Sequence, residues 1–197
     1  MCLLWLESVM LDTEQFASAH DPDPAHSRHV LQNSLALFDA LADLHQLDAR
    51  GRTLLNAAAI LHDVGYAIDP ASHHKKSRDL ILGSGITDFP PHDLAVIACI
   101  ARYHRKALPD TSHKTYRDLD AQSQQLVNRL AAILRIADGL DRSHAGSARS
   151  IRVTRSRDTV SIHVQQEPAS PADIEAARKK ANLFEHEFGL KIEIISD

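Results

Sequence analysis

The chain has 197 residues, a formal net charge of −4, 44% apolar and 24% charged side chains, and only seven glycines and eight prolines. That composition excludes a disordered, collagen-like or low-complexity protein, and folding at this length buries roughly 70% of the unfolded surface without a disulfide framework or structural metal. The longest apolar run, Leu94 to Ala101, has eight residues, far short of the ~18 of a membrane span, and the slight negative charge offers no global field to nucleic acid.

Apolar spacing predicts helices through residue 143 and strands after Ser150. Residues 3–17 read as a short amphipathic helix, stopped by Asp21-Pro22-Asp23-Pro24. A helix to about Leu44 follows, with Val30, Leu31, Leu35, Leu37, Phe38, Leu41 and Leu44 on its buried side. Asp48 caps the next, which carries Leu54, Leu55, Ala58 and Leu61 and ends at Gly65. Ser72 to Leu82 is a further helix closed by Gly83, and Pro91 to Arg105 another, apolar enough to be buried on nearly all sides. A polar loop around Pro109 leads to a long helix carrying Leu126, Leu130, Ile133, Leu134 and Ala137. Ile151 and Val153, then Val160, Ile162 and Val164, alternate around an Arg157-Asp158 turn. Ser170 caps a helix with Pro171 at its first position, ending at Gly189, and Leu190, Ile192 and Ile194 supply a last strand. The expected organisation is an N-terminal extension (1–24), a helical domain (25–148) and a small β-β-α-β unit (149–197), mainly α overall.

Cys2 and Cys99 are too few for a disulfide framework or a Cys-rich zinc site. The apolar start, Met1 to Leu6, lacks a basic region and is interrupted by Glu7, so no export signal is read and the expected location is the cytoplasm. Met10 is an alternative start that precedes every motif below. Residues 1–24 hold five acids and no Lys or Arg. Two basic clusters stand out, His74-Lys75-Lys76-Ser77-Arg78 and Arg102-Tyr103-His104-Arg105-Lys106, in a chain with thirteen histidines.

Four features of the helical part belong together: His29, the pair His62-Asp63, and Asp138, each at an end or on the apolar side of a different predicted helix. A divalent metal needs several deprotonated N or O ligands converging from rigid elements, and helix neighbours about 100° apart can both reach an ion near the helix end. Imidazole and carboxylate without thiolate suit Mn, Fe, Ni, Co or Zn better than Ca. Asp141, one turn after Asp138, either replaces it, pairs with Arg142, or orders a ligand by a hydrogen bond. His26 is read as a surface residue; His20, His45, His92, His113, His144, His163 and His186 lack any partner pattern. No GxSxG, GxGxxG or GxxxxGK[ST] occurs.

The His…His-Asp…Asp pattern resembles the HD-domain metal-dependent phosphohydrolases. More narrowly, Leu61-His62-Asp63-Val64-Gly65-Tyr66, His73-His74-Lys75-Lys76-Ser77, Arg102 to Lys106, and Leu134-Arg135-Ile136-Ala137-Asp138-Gly139-Leu140-Asp141 resemble the C-terminal HD region of exopolyphosphatase/guanosine-pentaphosphatase proteins, from about residue 25 to the end. Those proteins carry an N-terminal actin-like region to which their polyphosphate chemistry is assigned; this chain has no room for it, so chemistry is expected from the HD site itself. The resemblance implies a second ion, with His73 and His104 as added ligands, Asp63 bridging, and His74 as the alternative to His73. His62 and Asp63 are then the catalytic pair, and His74, Lys75, Arg102, Arg105 and Lys106 the substrate-binding residues, with Lys76 beside them. The expected function is hydrolysis of a nucleotide or polyphosphorylated small molecule with one or two transition-metal ions. The alternative is a non-catalytic polyphosphate- or nucleotide-binding regulatory module, favoured by Tyr66 where some catalytic HD proteins carry Lys. Neither membrane nor nucleic acid is an expected partner, and a homodimer is the assembly to test.

Overall fold

Aspartate side chains cap the starts of four helices. In the computed structural model, which describes residues 11–197, helix α1 (Thr13–His20) starts in a capping box of Asp12 and Gln15, and the part of the expected 3–17 helix before residue 11 lies outside the described residues. Helix α2 (Pro24–Ala40) is capped by Asp23, with Pro24 in the first turn, where its missing N–H costs nothing. It does not run on to Leu44. The backbone turns out of helix at Leu41 and resumes as the single turn α3 (Ala42–His45), closed by Gln46 in the left-handed region (φ 51°). Asp48 caps α4 (Ala49–Leu61), which ends four residues before Gly65.

Helices α5 (His73–Leu82) and α6 (Pro91–Arg102) follow. The latter ends three residues before the expected Arg105, so Arg102 and Arg105 do not share a helical face. A single turn, α7 (Lys114–Arg117), stands in the expected loop, and Asp120 caps α8 (Ala121–Gly139). Four of these helices, α2, α4, α6 and α8, enclose the core, where Leu37, Leu54, Leu55, Ile97, Ile100, Leu130, Ile133 and Leu134 are fully buried. Each such side chain contributes roughly 2 kcal/mol of transfer free energy. The apolar run of α6 from Val96 to Ala101 is buried on every side, as its composition requires.

The chain then changes period. Strands β1 (Ala148–Arg155) and β2 (Thr159–Gln166) form an antiparallel pair, Val153 opposite Ile162, across the turn containing Arg157 and Asp158. Two helices, α9 (Pro171–Lys180) and α10 (Asn182–Phe188), split at Ala181 where one was expected. They carry the chain back to β3 (Lys191–Ser196), which lies parallel to β2 with Ile194 beside Ile162. Val160, Ile162, Val164 and Ile194 are buried, as are Ile174, Ala177, Leu183 and Phe184 of the crossover helices. The fold is thus a mainly α-helical bundle with a small C-terminal β-β-α-β unit.

Two of the places where this unit is fastened to the bundle lie near the end of α8. A Cβ on Gly139 would lie 2.5 Å from Cα of Ala177, so α9 crosses the end of α8 at a distance only glycine permits. The Asp173 carboxylate, fully buried, accepts from the Ser143 N–H (2.7 Å), the Ser143 hydroxyl (2.9 Å) and the Ser147 hydroxyl (2.7 Å). Among the described residues no helix is long and apolar enough to cross a membrane.

Candidate metal centre

Six ligand-type side chains converge because helix ends converge. His26 lies in the first turn of α2, His62 caps the C-terminus of α4 with Asp63 next to it, His73 opens α5, His104 follows the end of α6, and Asp138 sits in the last turn of α8. Two groups of three hold their donor atoms within 4.8 Å of one another: His26, His62 and Asp138, and Asp63, His73 and His104. The groups adjoin. The rings of His26, His62, His104 and His73 follow one another at centroid separations of 5.3, 5.0 and 5.2 Å. Asp63 faces both, with Oδ2 3.6 Å from Nε2 of His62 and Oδ1 3.1 Å from Nε2 of His73 and 3.6 Å from that of His104.

The imidazoles are oriented by one device. His62, His73 and His104 each donate Nδ1–H to the carbonyl three residues earlier, Ala59 (2.7 Å), Pro70 (2.9 Å) and Ala101 (2.6 Å). His26 donates from Nδ1 to Asp141 Oδ2 at 2.8 Å, and Asp141 is itself fixed by the Gly146 N–H on Oδ1 at 2.7 Å. In His62, His73 and His104 the proton is committed to Nδ1 and Nε2 is left as a lone pair, the arrangement of metal-binding histidines; Nε2 of His26 faces Asp138 Oδ1 at 3.6 Å, and a cation bound there would displace its proton. Gly65 completes the scaffold. Its N–H donates to the Ser77 hydroxyl (3.0 Å), and a Cβ there would lie 2.3 Å from the Ser77 nitrogen, which clamps the turn after Asp63 onto α5 and brings Asp63 against His73.

These residues fit a cation. Nε2 of His62 and Oδ1 of Asp63 are buried without a hydrogen-bond partner, a costly arrangement for polar atoms. Nε2 of His73 and of His104 lie 3.2 Å apart; with both Nδ1 atoms donating elsewhere, two lone pairs face each other, that of His73 also within 3.2 Å of Arg105 NH1, and a shared cation satisfies both. The donor set is all nitrogen and oxygen, which suits a transition metal, while Cys99 is outside both groups and burial pushes its thiol up to about 12. Three helix C-termini, those of α4, α6 and α8, add partial negative charge at the same level.

Charge in the centre is strongly coupled. Burial pushes Asp63 upward, but His62, His73 and His104 outweigh it and hold the carboxyl well below the usual range. Asp138 is held low in the same way, against burial, by Lys180 and His26. Burial drives His104 well below 6.5, whereas on His26 it is outweighed by Asp138 and Asp141, which raise the ring to about 10.

Three expectations are corrected. His26 is 3% exposed, not a surface residue. His29, one turn further along α2, lies outside both groups; its side chain is 36% exposed, with Nδ1 3.8 Å from Asp141 Oδ2. Of the basic residues expected to bind substrate (Lys75, Arg102, Arg105 and Lys106), only Arg105 lines the cleft of about 430 Å³ over the two groups. Its NH1 sits 3.1 and 3.2 Å from the two ring nitrogens of His73. Arg102 is buried over the ring of Tyr103, Lys75 is exposed, and Lys106 is spent on the Ala71 carbonyl (2.6 Å). His74 is buried beside the cationic loop, which together with burial pushes it down to about 4.

The cleft also contains Tyr66 of the His-Asp motif and two residues, His144 and Lys180, for which the sequence showed no partner pattern. Tyr66 packs on His73, and His144 stacks on His26 (3.9 Å) while pairing with Asp23 (2.8 Å). Lys180 arrives from α9 of the C-terminal unit and pairs with Asp138 Oδ2. His26 could have been found from its place three residues after the capping Asp23, at the same helix-end level as His62 and Asp138; for Lys180 the sequence holds no such signal. The family model described as Ppx/GppA phosphatase, domain III, matches residues 10–192. The chain belongs to that family.

Proposed function

We propose that the chain is a metal-dependent phosphohydrolase of the HD type, acting on a nucleotide or another polyphosphorylated small molecule. The observation that carries this reading is the set of four imidazoles with Nδ1 committed and Nε2 turned toward Asp63 and Asp138 at the base of one cleft. His26, His62 and Asp138 would hold one ion and Asp63, His73 and His104 a second, with Asp63 offering one oxygen to each group. A divalent transition metal bound there supplies Lewis acidity and lowers the pKa of water toward ~7.

The protein's own residues do the remainder. Arg105 and Arg142 line the cleft beside the ligand set and present cationic donors to phosphate oxygens. His144 and Tyr66 wall the cleft. Membership in the Ppx/GppA phosphatase family supports phosphate-ester or phosphoanhydride substrates.

The test has two stages. Protein purified without chelator is expected to contain a transition metal in stoichiometric amount; failure to take up Mn, Fe, Ni, Co or Zn overturns the proposal. Nucleotides, dinucleoside polyphosphates, guanosine alarmones and polyphosphate, assayed with each metal, are then expected to include a substrate released as phosphate. Binding without turnover across that panel transfers the chain to the binding-module reading.

A further inference from the structure

The C-terminal unit places one functional group in the centre. Lys180 is the last residue of α9, and its ammonium reaches Asp138 Oδ2 while Asp138 Oδ1 faces Nε2 of His26 at 3.6 Å. The two carboxylate oxygens are therefore divided, one to the ligand group and one to the lysine. An ammonium has three donors, and among the described residues Asp138 is the sole acceptor at Nζ of Lys180. The side chain remains 22% exposed and lines the cleft with Arg105 and Arg142.

The backbone beneath it is held rigidly. Arg135, buried one turn before Asp138, donates to the Lys180 carbonyl (3.2 Å), the Asn182 side-chain oxygen (3.0 Å) and the Tyr103 carbonyl (2.9 Å). The close crossing at Gly139 and Ala177 lies one turn earlier in α9. One helix, α8, thus carries the candidate ligand Asp138, the arginine that fixes the backbone of Lys180, and the glycine that lets α9 approach.

We infer that Lys180 has two tasks: it turns Asp138 so that Oδ1 alone is offered to the metal, and it donates its remaining N–H groups to a phosphate oxygen of the bound ligand. This rests on the metal-centred reading above, and it makes the β-β-α-β unit a working wall of the cleft. The ligand chemistry is an oxyanion of phosphorus placed between the metal ligands and the three cations Lys180, Arg105 and Arg142. Lys180 is a positioning residue toward Asp138 and a direct contact toward the anion.

Inorganic phosphate is the probe. Lys180→Met is expected to need more metal for saturation, since Asp138 is no longer turned, and in its metal-saturated form to bind phosphate about tenfold more weakly, the scale of one lost charge-assisted hydrogen bond, with Lys180→Arg recovering most of both. A purely structural ion pair would not give that charge-specific recovery. In the wild-type protein, phosphate is expected to protect Lys180 from amine acylation read by peptide mass spectrometry. Lys179, 73% exposed and paired with Glu175, is the internal control, so this arm stands if Lys180→Met does not fold. Unchanged phosphate affinity in a folded, metal-loaded Lys180→Met, or acylation of Lys180 insensitive to phosphate, overturns the inference alone. Wild-type protein that takes up no metal overturns the underlying reading and the inference with it, and does so before any variant is made.

Discussion

Two buried histidine environments in this molecule differ in one respect. His45, at the corner between α3 and α4, is fully buried and satisfied on both sides: Nε2 donates to the Phe38 carbonyl (2.8 Å) and Nδ1 accepts the Leu47 N–H (2.9 Å). His62, equally buried, is satisfied at Nδ1 only and leaves Nε2 without a partner. His73 and His104 go further and turn Nε2 toward each other. Burial is therefore the same in both places; what separates a histidine that holds a corner from one that can hold a metal is whether the second nitrogen finds a protein partner. A thirteen-histidine sequence cannot show this, because ring orientation depends on which carbonyl lies three residues back and on what stands opposite.

That comparison can be broken experimentally. The largest expected effect is that of Asp63→Ala. Its carboxylate faces both ligand groups, so the variant is expected to lose all bound metal and any hydrolysis while keeping its helical circular dichroism. Metal content equal to wild type by elemental analysis would mean the centre is misplaced. Next in size is the contrast between neighbours on α2. His26→Ala is expected to lose the metal held with His62 and Asp138, whereas His29→Ala, one turn away and partly exposed, keeps full metal content; the reverse result would restore His29 as the ligand.

The smallest effect belongs to the corner. His45→Gln is expected to leave metal content untouched and to cost about 1–3 kcal/mol in urea unfolding, the scale of exposing the Phe38 carbonyl and Leu47 N–H to imperfect partners. Burial holds the ring of His45 below its ordinary 6.5, so the unfolded chain takes up a proton more readily than the folded one. The sign follows: this histidine's contribution is intact above about pH 6.5 and is lost as pH falls through that value toward the lower folded pKa. Wild-type stability is expected to drop more than that of His45→Gln between about pH 8 and about pH 5. Parallel curves would show that His45 titrates no differently in the two states.

Much of the fold was legible because local chemistry sets it. Asp48 announces a helix start, Pro91 and Pro171 occupy first turns, and the period-two stretches at Ile151–Val153 and Val160–Val164 mark the hairpin; Ser170, expected as a cap, makes no side-chain cap bond. What was misjudged lies at helix ends. The α2 pattern continues past Leu41 although the backbone turns there, and α6 stops at Arg102 although apolar and basic residues continue, because terminal turns answer to tertiary packing and not to propensity. The difference carries into the site: with α6 three residues shorter, Arg102 is buried and, of the two, Arg105 reaches the cleft.

The sequence by itself determined the helical class, the β-β-α-β tail and the presence of a His-Asp set, since each depends on residue type and on spacings within a few turns. It could place the pair His62-Asp63 because adjacency guarantees proximity. The approach of His26 rather than His29 to His62 and Asp138, the division of six side chains into two groups, the hydrogen bond of Asp141 to His26 and the arrival of Lys180 from another unit are visible only in the tertiary structure. Each turns on where the ends of separate helices meet, and a shift of one helical turn, about 5.4 Å, exchanges a ligand for a bystander without altering the pattern along the chain.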